Sequence, residues 1–403
     1  MIQGFQIFKQ DDNITKNYDN DNDCNDFCLI FEDLFQSNSE DEVLDAVNKI
    51  SSQFSTMKYP IPDEFYDYDV IDNLFERFHL FDNETVRRSI INLLKLLINC
   101  KMDEEPFMKE LIPQLSSILD ERIENQTNFI ELLSCCVSKS KFCHDFIENK
   151  MDHCLFSFIF SLLGQNNQLD SKILIFFSEF IKYPLDSDIE NIIITNIENL
   201  QNIELKYDFI ITLSTKCNHF VDIFGYSSIT DSIFYFLRNK PNKRSIKAIL
   251  LVKECINPEV YKILLDLTTN EEFLGIILFV LSSLVDLYPS ISSDIIEFFT
   301  INDIPKNSTI ILREMVRLIS KLVISNKDRC HQLFYDNIDN FHEMLYLSDK
   351  SITDDLISAL VTLSDEELKE FINDIDVEYI NEASNNGNEK ADVLLERINN
   401  IKE

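Results

Sequence analysis

The stretch Glu84–Lys101, ETVRRSIINLLKLLINCK, decides the fold. Val86, Ile90, Ile91, Leu93, Leu94, Leu97 and Ile98 follow the one-, three- and four-residue steps of a helix buried on more than one side. Arg87, Arg88, Asn92 and Lys95 are left as its polar surface. A helix this apolar needs neighbours to cover it.

With Leu94 as an anchor, the corresponding residues of later apolar helices are Leu133, Phe177, Leu213, Leu251, Leu281, Ile319 and Leu360, at steps of 39, 44, 36, 38, 30, 38 and 41 residues. Self-similarity at about 40 residues marks stacked helical pairs or triplets, each burying its face only against the next. A single core stops growing at about 250–300 residues, whereas this chain has 403, with 45% hydrophobic and 11% aromatic residues. Its core must therefore lengthen along one axis. With 5 Gly and 9 Pro there is little material for β-turns or nucleotide-binding glycine loops. The fold class expected is all-α, a right-handed α-solenoid of about eight repeat units.

Residues 1–37 are expected to be a largely disordered acidic tail, because Lys9–Asp26 is rich in Asp and Asn and too poor in apolar residues to fold alone. Asp19, Asp21 and Asp23 imitate half of a calcium loop, but Cys24 and Ile30 stand where it needs glycine and glutamate, so calcium is not expected. The solenoid is expected over 38–383, with a helix start at Ser39–Glu42 and a helix from Val70 to Leu80. Inner helices are expected at QTNFIELLSCCVS, SKILIFFSEFIK, KYDFIITLSTKC, KRSIKAILLVKEC, EEFLGIILFVLSSLVDL, TIILREMVRLISKLVI and ITDDLISALVTL. In 384–403, Ser384–Lys390 reads as a flexible break before a short final helix, Ala391–Ile401.

Basic residues number 36 and acidic residues 70, a net charge of -34. Such a chain repels phosphates, so nucleic acid is not an expected partner, and basic proteins suit it better. The acidity also keeps an apolar-rich chain in solution. MIQGFQIFKQDDNITK has no basic leader followed by an apolar core, and no segment is long enough to span a bilayer. A cytoplasmic location, with nuclear residence as the alternative, and no membrane partner are expected. The 10 cysteines sit in apolar helical stretches and read as buried thiols.

Val86–Ile98, VRRSIINLLKLLI, resembles the third helix of an armadillo repeat, and the pattern from Ser39 to Leu363 resembles the armadillo and HEAT superfamily that includes importin alpha and beta-catenin. The resemblance implies a helical scaffold for protein partners. Armadillo repeats carry a glycine between their first two helices, and with 5 Gly in the chain most units lack one, so HEAT-like pairs remain equally open. The Trp and Asn ladder with which importin alpha holds basic peptides would fall on Asn92 and Leu96, Glu131 and Cys135, and Ile175 and Glu179; with no Trp in the chain, that ladder is absent.

No GxSxG, P-loop, GxGxxG or HExxH occurs, and the acid pairs Glu104–Glu105 and Asp354–Asp355 fall in turns or first helical turns, where carboxylates favour the helix dipole. No catalytic residue, cofactor or small-molecule substrate is expected. Cys135, Cys136, Cys143, His144, His153 and Cys154 bring six soft-metal donors into 20 residues but lack a CxxC knuckle, so no metal is expected. Arg313, Arg317 and Lys321 recur every four residues and share with Glu314 and Ser320 a polar strip about 120° wide. The preceding apolar helix carries a similar strip, with Ser282, Ser283 and Asp286 around Phe279, and Lys243, Arg244 and Lys247 open the one before. Two readings stand. Either these cations pair with acids of adjacent helices, or Lys243, Arg244, Lys247, Ser282, Ser283, Arg313, Arg317 and Lys321 line a partner-binding groove for an acidic segment, of a partner or of the chain's own Asp11–Asp26. The function expected is a non-catalytic protein-interaction scaffold, with a nucleocytoplasmic transport adaptor for basic cargo, or a regulatory subunit of an enzyme complex, as alternatives.

Overall fold

A computed structural model describes residues 31–56, 69–99, 104–115, 118, 123–150, 153–302, 308–346, 350–371 and 377–402. Among them there is no strand; they are helices joined by short turns. None of these helices is long and apolar enough to cross a membrane. The chain forms two compact units that divide between Asn196 and Ile197. The expected disorder of the tail falls on residues outside those described, except that 31–36 is helical and buries Phe31 and Leu34, the former 6.4 Å from the Phe54 ring.

The first unit contains α1 (Glu40–Thr56), α2 (Val70–Leu80), α3 (Glu84–Asn99), α4 (Glu104–Leu115), α5 (Ile123–Lys139), α6 (Lys141–Lys150), α7 (His153–Ser161) and α8 (Asn167–Phe180); the division falls inside α9 (Ser187–Asn199). Helices α1, α3, α5 and α8 pack in succession as one layer, and α2, α4 and α6 pack in succession beside it. The first layer holds Leu94, Leu133 and Phe177, and is called here the anchor layer.

The second unit repeats the plan with α10 (Ile203–Lys216), α11 (Asn218–Asn239), α12 (Lys243–Ala248), α13 (Val260–Leu267), α14 (Glu271–Leu287), α15 (Ser292–Ile301), α16 (Thr309–Ser325), α17 (Lys327–Tyr335), α18 (Ile338–Tyr346), α19 (Lys350–Thr362), α20 (Asp365–Phe371), α21 (Val377–Asn385) and α22 (Glu389–Lys402). Its anchor layer is α10, α12, α14, α16, α19 and α22 in succession. Gly225, at φ 72°, breaks α11, and Gly164, at φ 85°, turns the chain between α7 and α8. These are positions where a left-handed backbone needs glycine.

Asparagine starts several of the anchor helices. Asn166, Asn202, Asn242 and Asn270 each accept a backbone N–H of the first turn of α8, α10, α12 and α14, donors that otherwise have no partner. Seven of the eight anchors are buried as expected, and Leu251 is not. KRSIKAILLVKEC leaves the α-form after Ala248 and tightens into a 3-10 turn, Ile249–Leu251. Ile246, Ile249 and Val252, three residues apart, take the buried places, and that spacing is the period of a 3-10 turn. Leu251 is left half-exposed.

Arg87 is also not the surface residue its helical position suggested. It is buried, donates from Nε to the carbonyls of Phe78 (3.2 Å) and Phe81 (3.0 Å), pairs with Asp82 at 2.9 Å and lies over the Phe78 ring. The last carbonyls of α2 need donors, and Arg87 supplies them from α3. Arg397 does the same for α19, donating to Val361 O (2.8 Å) and Leu363 O (2.7 Å). Ser384–Lys390, expected as a break, spans the end of α21, a turn and the start of α22. Gly387 N–H donates to Ser384 O at 2.8 Å, Asn388 caps α22 through the N–H groups of Lys390 and Ala391, and α22 joins the anchor layer.

Ser364 and Glu367 form a capping box at α20, with Ser364 N–H donating to Glu367 Oε2 at 2.6 Å, and Lys327 adds an ion pair at 2.9 Å. Burial works against the charged carboxylate, but the Ser364 N–H and hydroxyl and the Lys327 ammonium outweigh it and bring Glu367 down to about 2. A depressed carboxylate stabilises the fold above its unfolded pKa of about 4.3, and that contribution fades as pH falls toward the folded value. Glu367→Ala is expected to cost about 1 kcal/mol at pH 7, a gap that narrows as pH falls from 4.3 toward 2. Urea melts of both proteins across that range measure it; a gap independent of pH would show that Glu367 acts through packing alone.

Candidate functional site

On α3, α5, α8, α14, α16 and α19 the anchor points into the core and the residues two before and two after it lie on the accessible side, whereas Ile211 and Ile249, at the equivalent places before Leu213 and Leu251, are buried. In the first unit these are Asn92 and Leu96 on α3, Glu131 and Cys135 on α5, and Ile175 and Glu179 on α8, all exposed or half-exposed. In the second unit they are Phe279 and Ser283 on α14, Arg317 and Lys321 on α16, and Ser358 and Thr362 on α19. Each unit thus presents a strip of side chains from three successive anchor helices, α3, α5 and α8 in the first and α14, α16 and α19 in the second. Ile175 is its most apolar exposed member, with 42% of its surface accessible.

The strip of the first unit is polar at its centre. Glu131 receives Lys172 at 2.8 Å and also pairs with Lys95, so one carboxylate from α5 joins ammonium groups of α3 and α8. Burial lowers Lys95, and the neighbouring Lys172 adds to the effect. Burial raises the Cys135 thiol against the pull of both ammonium groups.

In the second unit, α14, α16 and α19 bring together Arg313, Arg317, Lys321, Asp286, Glu314 and Asp355. Glu314 is 3% exposed and accepts Arg313 at 2.8 Å and also Arg317. Arg317 reaches Asp355 at 3.6 Å and lies 5.4 Å above the Phe279 ring. Lys321 bridges Asp355 at 3.0 Å and Asp286 at 3.1 Å. Burial disfavours the Lys321 ammonium, but its hydrogen bonds and attraction to Asp355 and Asp286 prevail and raise its pKa. Among the described residues, three cations therefore meet three carboxylates.

The other residues named from the sequence do not join that network. Lys243 pairs with Glu272 at 3.2 Å, and Arg244 pairs with Asp208 at 2.9 Å and donates to Thr212 Oγ1 at 2.6 Å. Lys247 is exposed and forms no ion pair with the described residues. Ser282 is buried and donates to Phe279 O at 2.7 Å, and Ser283 turns to the same carbonyl at 3.3 Å, so both hydroxyls are taken up by their own helix. Pairing with neighbouring acids is what the sequence offered as the alternative to a basic groove. It could not be decided there, because Asp286 and Asp355 lie one repeat away on either side.

Of the Cys and His cluster, Cys136 and Cys143 are buried in the core and Cys135 is half-exposed, while the side chains of His153 and Cys154 lie outside the described residues. Burial pushes the Cys136 thiol well up, which makes it a poor metal ligand. His144 keeps different company. Its Nδ1 lies 3.1 Å from Asp145 Oδ1, with Glu148 close by. The i, i+4 spacing of His144 and Glu148 was the signal in the sequence that a search for cysteine ligands passes over.

No protein-family model and no curated protein matches the chain. Solved structures do. A structure described as the Kap95:Nup1 complex superposes with a TM-score of 0.52 at 14% identity, covering 90% of this chain and 49% of that one. An importin beta structure gives 0.48 at 12% identity, covering 96% and 55%. A designed armadillo repeat protein gives 0.39 at 12% identity, covering 57% and 99%. This chain spans about half the length of the first of these, and at such identity the likeness establishes the fold, a helical-repeat array of the armadillo and HEAT type.

Proposed function

We propose that this armadillo/HEAT-type array is a non-catalytic scaffold that binds a segment of a protein partner along the accessible face of an anchor layer. The observation that carries this reading is the recurrence of accessible positions two residues either side of the anchors on successive helices. A contact position that recurs on three successive anchor helices suits an extended chain laid across them. The paired charges also set the chemistry. With Arg313, Arg317 and Lys321 already matched by Asp286, Glu314 and Asp355, attraction of acidic segments is weak, and recognition rests on apolar and hydrogen-bonding members of the strip. A transport adaptor for basic cargo is a second reading, favoured by the net charge of -34.

The test is capture of partners by the purified full chain, compared with a strip variant carrying Asn92→Asp, Ile175→Asp and Thr362→Arg and a control with Arg238→Glu on α11, which is not an anchor-layer helix. The strip variant is expected to lose its partner about tenfold or more with helicity unchanged, while the control retains it. Equal retention by the two variants would place binding elsewhere. Loss of capture at raised salt together with a basic partner would identify the adaptor reading, and co-purification of a catalytic subunit would identify a regulatory one.

A further inference from the structure

We propose that His144, Asp145 and Glu148 form a binding site for a divalent transition ion of the zinc class. All three belong to α6, and His144 and Glu148, four residues apart, share one face of it. A ring nitrogen of His144 and one carboxylate oxygen from each acid lie within 4.8 Å of one another. The second carboxylate is held from the next repeat, because Asp186 N–H donates to Glu148 Oε1 at 2.7 Å. An outer partner that fixes a ligand in this way is a regular feature of metal sites.

The imidazole supplies the independent observation. His144 is completely buried, with the Phe180 ring 4.5 Å and the Tyr183 ring 5.1 Å from its own, and its Nε2 has no hydrogen-bond partner. A neutral ring carries one proton. If that proton is on Nδ1 it serves Asp145 and leaves an unshared lone pair on Nε2 in an aromatic enclosure. If it is on Nε2, the Nδ1 lone pair faces the Asp145 carboxylate with nothing positive between them. A cation on Nδ1 removes that conflict. It draws both lone pairs to itself and keeps the proton on Nε2, where an N–H near aromatic rings is better tolerated than a lone pair. One imidazole with two carboxylates is a donor set for zinc and its neighbours; magnesium and calcium prefer oxygen alone. The Asp145 side chain is 46% exposed, so an ion has a way in and water can complete its coordination.

The experiment uses the full chain, stripped with chelator and titrated with zinc in equilibrium dialysis, and the cobalt-substituted protein in absorption spectroscopy. One equivalent of zinc is expected, weakened about tenfold or more by Asp145→Asn and by Glu148→Gln, with metal-free melts of both variants like the parent. The cobalt form should show visible ligand-field bands without thiolate charge-transfer absorption. Less than half an equivalent of zinc, unchanged affinity in the two variants, or a spectrum dominated by thiolate would each overturn the site. Displacement of zinc by an equal concentration of magnesium would overturn the zinc-class assignment. His144 itself is left unchanged because its ring is part of the core.

Discussion

Leu281→Ala is expected to lower stability by about 2–5 kcal/mol, while Leu251→Ala, at a position with the same place in the repeat period, costs less than about 1 kcal/mol. Leu281 is 0% exposed on α14, a helix packed against α16, so truncation removes buried methyl groups and leaves a cavity that neighbours on both sides cannot close. Leu251 ends a 3-10 turn and is half in water already. For a body of about 200 residues each kcal/mol moves the melting temperature by about 2–4 °C, so thermal melts separate the two variants by several degrees. A Leu281→Ala melt within a degree of the parent would mean that α14 is not packed between its neighbours as described.

That contrast also shows what could be read in advance. The anchors of α3, α5, α8, α10, α14, α16 and α19 were legible because a helix covered on several sides repeats an apolar pattern too dense to be anything else. Leu251 was misplaced because a run such as AILLV is equally apolar in an α-helix and in a 3-10 turn, and the short step of 30 residues from Leu251 to Leu281 was the only warning. Arg87 was misplaced for a different reason. Helical position marks a residue as polar, but the carbonyls of Phe78 and Phe81 that draw Arg87 inward belong to the preceding helix and its turn. In the candidate strip, spacing showed that Arg313, Arg317 and Lys321 share one edge of a helix. It could not show that Asp286, 35 residues before Lys321, and Asp355, 34 after it, would neutralise them. Contacts within one helix follow from the local period, whereas contacts between repeats depend on the length of every turn between them.

Glu314→Ala is expected to cost about 3–5 kcal/mol. Two arginines converge on this buried carboxylate, and the Arg317 side chain is itself only 14% exposed. Without Glu314, a guanidinium largely taken out of water loses a buried carboxylate, while the face of Phe279 and Asp355 at 3.6 Å stay among its contacts. The loss reflects removal of a buried charge's counter-ion more than the worth of the pair. The double variant Glu314→Met with Arg317→Met therefore should recover most of it, since apolar residues of similar volume often replace a buried ion pair at little cost. Chemical denaturation of the two single variants and the double yields the coupling energy directly. Additive losses would show that each side chain is satisfied independently of the other. A recovered double variant would show that the charges of this strip hold one another rather than waiting for a ligand, and in that background the strip loses its polar network while α16 keeps its packing. Partner capture by the same double variant then separates recognition through apolar contact, which it retains, from recognition through the Arg317 guanidinium, which it cannot.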